Sequence, residues 1–210
     1  MIGDMGGLSK HRIEALTDGI YAVAMTLLVL ELKLPEMGEA LDDEQLSQAL
    51  LHLAPKFIAW IISFFILAIF WFSHQRAFHF VRNVDNKLLW INMLSLLMAS
   101  LLPFSSALAG EYGRTFLSQA IYAGNMAAMA LLAIWQVRHL LQHPQLCVEA
   151  GFPAAAARGA LFRCWSLVAV AALAIVIACF EPRFGTMAFI LMIFLGRIGR
   201  RLEAQPEKTP

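Results

Sequence analysis

The chain has 210 residues, of which 60% are hydrophobic and 15% charged, with a mean hydropathy of +0.66 and a formal net charge of +1. Soluble domains average roughly 45–50% apolar and about 25% charged, so the composition excludes that class and implies an integral membrane protein. The near-zero net charge gives no basis for a nucleic-acid partner, and Cys147, Cys164 and Cys179, without a C-x-x-C pair, indicate neither a disulfide framework nor a metal site.

Crossing a hydrocarbon core of about 30 Å takes about 20 helical residues. Six runs of that kind emerge, over about 12–34, 55–81, 86–108, 114–142, 158–180 and 183–200. Helix is the conformer that satisfies a lone span's backbone internally, and barrel-type alternation is absent. The expected fold is therefore an all-α membrane protein, one six-helix domain over 1–203 followed by a short tail, 204–210. The first run is longer than the roughly 7–15 residues of a signal-peptide core and lacks an A-x-A-like site behind it, so retention is expected.

Between the first two spans, "EMGEALDDEQLSQALLH" is acidic and then amphipathic, which predicts a short surface helix capped at Asp42 or Asp43. Between the fourth and fifth, "HPQLCVEAGFPAAAARG" reads as a polar, Ala-rich connection. No internal repeat is visible.

Alternating sides along the chain collect Lys and Arg unequally. Twelve, among them Lys10, Arg12, Arg76, Arg82, Arg138 and Arg158, fall on one side, against Lys33, Lys56, Arg114 and Arg183 on the other. The bias puts both termini in the cytoplasm. Eight acids, from Glu31 to Glu181, gather on the outer side, where they would concentrate cations.

The first span, "RIEALTDGIYAVAMTLLVLELKLP", has two chemically different faces. At 100° per residue, Arg12, Leu16, Gly19, Thr26, Leu27 and Leu30 lie within about 60° of Val23, an aliphatic stripe with one hydroxyl and a basic end. Asp18 lies about 140° away, on the back face with Glu14, Tyr21 and Met25. An acid near hydrocarbon depth needs partners. At the same level the second span offers Ser73, His74, Gln75 and Arg76, and the third offers Asn86, Trp90 and Asn92. A buried polar knot of Thr17, Asp18, His74 and one of these Asn residues is the economical arrangement.

The same span resembles the first helix of bacterial homologues of the lysosomal potassium channel called transmembrane protein 175, whose hallmark is Arg, three residues, then Phe-Ser-Asp and usually Gly. Arg12, Asp18 and Gly19 match that pattern, with Leu16 for Phe and Thr17 for Ser. "FWFSHQRAFHFV" and "LLPFSSAL" in the next two spans are also similar to the family. The resemblance implies a potassium channel of the bacterial plasma membrane, not an enzyme, with no cofactor beyond permeant potassium ions. It further implies a homotetramer among membrane lipids, with the first helices lining the pore. Carried over residue by residue, the constriction and filter fall on Val23, Leu27 and Leu30 with the hydroxyl of Thr26. The structural network falls on Arg12, Thr17, Asp18 and Gly19, with His74 and Asn86. Val23 stands where Ile is usual, which implies a wider constriction and weak to moderate selectivity.

Two other readings start from the residues alone. A proton-coupled carrier would use Asp18 and His74. A haem or metal protein would use His139 and His143, at i and i+4, with His74 and His79, but no carboxylate or Cys accompanies the pair in sequence.

Overall fold

A computed structural model describes residues 9–33, 42–148, 151–192 and 195. Five of its helices are long and apolar enough to cross a membrane: α1 (Lys10–Leu30), α3 (Ala54–His79), α4 (Asn86–Glu111), α5 (Phe116–Gln142) and α6 (Ala154–Phe180). A short helix, α2 (Asp43–His52), precedes α3. The all-α membrane architecture expected from the composition is thus present.

Helix starts follow their capping residues. Asp42, Asp85 and Thr115 accept from Gln45 N, Leu88 N and Ser118 N at 2.7, 2.8 and 3.4 Å, each satisfying one amide that the first turn leaves unpaired. The expected cap of the surface helix is therefore Asp42. α6 begins at Ala154, four residues before the expected 158, because Pro153 occupies the cap position and the Ala run behind it has the highest helix propensity. What reads as an Ala-rich connection is the helix's first turn.

The sixth expected span departs more. Its start forms 3-10 turns, Pro182–Phe184 and Thr186–Ile190, and beyond them only Leu191, Met192 and Leu195 are described. Pro182 removes an amide donor and Gly185 follows it, so the chain turns before any regular helix begins. The remainder of 183–200 lies outside the described residues, as do Leu34 at the end of the first expected run and the tail 204–210.

Contacts between helix ends show that consecutive spans run antiparallel. At one end, Val81 bridges Cys147 and Asp85 pairs with His139, joining the α3–α4 and α5–α6 connections. At the other, Lys56 pairs with Glu111. A Cβ on Gly110 would sit 3.0 Å from Lys56 Cα, so glycine permits the close backbone approach that brings this pair together. Thr186 Oγ1 donates to Gln119 Oε1 at 2.7 Å, fastening the segment after α6 to the start of α5.

The core forms around α5, which packs between α4 and α6, with Tyr122, Met126, Met129 and Ala130 buried at its centre. A chain of hydroxyls is paired inside: Ser63 donates to Ser106 Oγ at 2.8 Å and lies 2.9 Å from the Tyr122 hydroxyl, and Ser106 donates to Ala59 O at 3.3 Å. An unpaired hydroxyl in this setting costs about 1–3 kcal/mol, so the chain of hydroxyls fixes how α3, α4 and α5 meet. α1 packs on α3 and α4 and lies at the edge of the bundle.

Candidate functional site on the first helix

α1 meets the bundle through Ile13, Thr17, Tyr21, Ala24 and Leu28, spaced three or four residues apart along one face. At the end where α1 starts and α3 finishes, two sets of hydrogen bonds reinforce this apolar contact.

In the first, Trp71 Nε1 donates to Asp18 Oδ1 at 2.8 Å, and Gln75 Nε2 donates to the same oxygen. Trp71 and Gln75 are one turn apart on α3, so both reach one carboxylate. Bonds to a charged acceptor are about twice as strong as neutral ones. Asp18 is thereby tied to α3 while its residue stays exposed on the side away from it.

The second set is buried. Asn92 Nδ2 on α4 donates to Thr17 Oγ1 at 3.2 Å, and His74 Nε2 on α3 lies 2.9 Å from Asn92 Oδ1. Because the Asn92 amide nitrogen serves Thr17, its carbonyl oxygen accepts and His74 Nε2 carries the proton. The imidazole stacks on Phe78, with ring centroids 4.1 Å apart. One side chain, Asn92, thus links three spans.

The structure brings Thr17 and His74 together through Asn92, and sets Asp18 beside them on Trp71 and Gln75. Asn86 and Arg12 lie outside this network. Asn86 is exposed in the first turn of α4, and the six residues separating it from Asn92 rotate it about 240° around the helix. Arg12 is exposed one turn before the network, and no ion pair or side-chain hydrogen bond among the described residues includes it. Gly19 is exposed, and a Cβ there would meet nothing within 4 Å. Trp71 is the residue that sequence reasoning missed, since an aromatic near a membrane boundary reads as an interfacial anchor. Its only other signal is its position, one turn before Gln75.

The opposite face of α1 is uncovered. Val23, Leu27 and Leu30 are 56%, 42% and 61% exposed, and Thr26 is exposed with them. Thr26 Oγ1 donates to Val23 O at 2.8 Å. Its one hydroxyl proton is thus used within the helix, and the oxygen presents lone pairs outward, the polarity that a cation requires.

His139 and His143 do lie together, with ring centroids 4.2 Å apart and planes tilted by 38°, but His139 Nε2 is held by Asp85 at 2.9 Å and His143 Nδ1 lies 2.9 Å from the His139 carbonyl oxygen. Asp85 also caps α4, so the cluster ties helix ends together. Among the described residues no three His, Cys, Asp or Glu side chains are placed to hold a metal ion.

The model of the family described as endosomal/lysosomal potassium channel TMEM175 matches residues 12–103, the stretch that contains most of α1, all of α2 and α3, and most of α4. A potassium channel of Streptomyces collinus is 35% identical over 130 residues, covering 59% of this chain and 62% of that one. The human endosomal/lysosomal proton channel TMEM175 is 32% identical over 203 residues, covering 88% of this chain and 39% of its own length. The chain therefore spans less than two thirds of these curated relatives. The crystal structure of a lysosomal potassium-selective channel TMEM175 homolog from Chamaesiphon minutus superposes with a TM-score of 0.74 at 25% identity, covering 90% of this chain and 97% of that one.

Proposed function

We propose that this chain is a member of the TMEM175 family and a passive, potassium-preferring cation channel of the bacterial plasma membrane that assembles as a homotetramer around its first helices. One observation carries the reading: α1 is fastened to α3 and α4 by its back face while its front face, with Val23, Thr26, Leu27 and Leu30, is left uncovered. Four such faces around an axis form a narrow tube. Rings of Val and Leu exclude water unless an ion's hydration shell is partly replaced, and the Thr26 ring supplies oxygen lone pairs beside them. Potassium sheds water more readily than sodium, so such a constriction favours it, and the small Val23 keeps the preference weak to moderate. The Arg-rich end of the bundle faces the cytoplasm on this reading.

The polar clamp supplies the other half of the mechanism. A pore built from one helix per subunit keeps its radius only if that helix cannot roll, and Asp18 and Thr17 resist rolling through Trp71, Gln75 and Asn92.

Purified protein in potassium-loaded liposomes is expected to release potassium faster than sodium, and Leu30→Ala is expected to raise flux and lower that ratio. Unchanged flux and ratio would remove α1 from the pore. A second reading is proton permeation, favoured by the Thr17–Asn92–His74 chain that runs beside the proposed pore helix. It predicts that a pH gradient alone acidifies the vesicle lumen, and that His74→Gln slows this without changing potassium release.

A further inference from the structure

At the end of the bundle where α3 finishes and α6 starts, a pocket of about 390 Å³ opens between the two helices. The pore reading makes no use of it. Among the described residues that line it, Arg76 and Arg163 are the fixed charges. Arg76 of α3 and Arg163 of α6 line opposite walls, and none of the described residues lining it is acidic. Ala155 and Ala156 of the first turn of α6 also line it, and no side chain caps that turn. The amides there, left without partners inside the helix, add the positive end of the helix dipole to the two guanidinium groups. Ser73 contributes a hydroxyl.

Apart from His79 in the last turn of α3, the rest of the lining is apolar. Phe80 and Phe152 meet edge to face with centroids 5.6 Å apart, and Ala77, Pro153 and Ala160 complete the wall. The volume falls in the range of small-molecule sites, roughly 300–1,000 Å³, far more than an inorganic phosphate fills. A cationic rim over an apolar wall suits an amphiphile. The location agrees, because the pocket lies between the last turn of one membrane span and the first turns of another, at the basic end, where such pockets take anionic head groups. Both arginines already have other interactions. A guanidinium has five N–H donors in a fixed fork, so a phosphate oxygen can join an existing partner.

We infer that this pocket binds an anionic phospholipid, with Arg76, Arg163 and the first-turn amides of α6 on the headgroup phosphate and Phe80 and Phe152 against the glycerol and upper acyl chain. The site is independent of conduction, so it stands or falls separately from the channel reading.

The test uses the full-length protein reconstituted with equal phosphatidylglycerol and phosphatidylcholine, extracted into neutral detergent, and weighed by native mass spectrometry. Retention of phosphatidylglycerol over phosphatidylcholine is expected, with a loss of roughly tenfold or more when Arg76→Gln and Arg163→Gln are combined. Should that variant fail to fold, Ala156→Phe decides, since it fills the pocket without touching either arginine and is expected to lose the lipid equally. Arg138→Gln, whose guanidinium lies 5.8 Å from the Trp165 ring outside the pocket, is expected to retain it. A separate arm distinguishes a free anion from a lipid: in neutral detergent, phosphatidylglycerol raises the melting temperature and inorganic phosphate alone does not. Equal retention by wild type and Ala156→Phe, equal loss in Arg138→Gln, or equal stabilisation by phosphate would each overturn the assignment.

Discussion

α1 and α6 are both peripheral spans, and the same share, 28%, of an 18-residue apolar stretch in each is buried inside the chain, yet they are built differently. α6 attaches through an apolar face of mostly small residues, Ala157, Gly159, Ala171, Ala174 and Ala178 with Cys164, Leu167 and Val170, and turns Trp165, Leu173, Val176 and Phe180 outward. Small residues let backbones approach closely, and bulky apolar ones suit lipid, so every part of α6 fits a helix facing the bilayer. α1 adds to its apolar contacts hydrogen bonds to a carboxylate and a buried amide, and turns outward a face that mixes Gly19, Ala22 and Thr26 with Val23, Leu27 and Leu30. A lipid-facing helix has no use for a fixed rotation. Specifying rotation is worth its cost when one face must meet an axis, and this difference, more than exposure alone, supports α1 as the pore helix.

The comparison breaks most visibly with a charge. Ala169, exposed at the middle of α6, faces lipid on this account, and Ala169→Asp is expected to cost about 3 kcal/mol and sharply reduce the folded, membrane-inserted fraction. Val23→Asp, at similar depth on α1, is expected to insert and fold, because on the pore reading water and permeant cations reach it. Comparing monodisperse yields of the two variants checks this. Equal loss would make both faces lipid-facing.

The next effect concerns the clamp. Asn92→Leu leaves the Thr17 hydroxyl and His74 Nε2 buried without their partner, and is expected to destabilise the protein by about 2–3 kcal/mol. Trp71→Phe removes one of the two donors to Asp18 and is expected to cost about 1.5 kcal/mol, because Gln75 remains on the same oxygen. Both read out as a lowered melting temperature in detergent. Both are also expected to reduce the potassium-over-sodium ratio, since α1 gains freedom to roll. A loss of stability with an unchanged ratio would separate the clamp from the pore.

How far this division was readable in the sequence depends on geometry. The helical wheel separates the Val23–Leu30 stripe from Asp18 because rotation about one helix axis needs no knowledge of neighbours, and the caps at Asp42, Asp85 and Thr115 mark helix starts by local bonding alone. Choosing between Asn86 and Asn92 requires the rotation of α4 relative to α1 and α3, which no single-helix pattern encodes. Trp71 was hidden for the same reason: its indole N–H has a purpose only once α3 is placed beside Asp18. The start of α6 was misplaced because Ala serves both connections and helices, and Pro153 decides between them only as a cap. The turns after Pro182 were hidden by hydropathy itself, because an apolar run looks the same in α and 3-10 form.

The smallest effect is the most discriminating, because one substitution can be made on each face of α1. Thr17→Val and Thr26→Val both replace a hydroxyl by a methyl and keep the β-branch. Thr17 is fully buried, and losing its oxygen strands Asn92 Nδ2, so about 1–2 kcal/mol of stability is expected to disappear. Thr26 is exposed and its proton goes to its own helix, so Thr26→Val is expected to change stability by less than about 0.5 kcal/mol. Its consequence lies in permeation. With the oxygen lone pairs gone, the ring at that level offers nothing to a partly dehydrated cation, and the potassium-over-sodium ratio is expected to move toward one while the protein stays as stable as wild type. If Thr26→Val instead lowers the melting temperature as much as Thr17→Val and leaves the ratio alone, the front face of α1 is packed against another helix and does not touch the ion path.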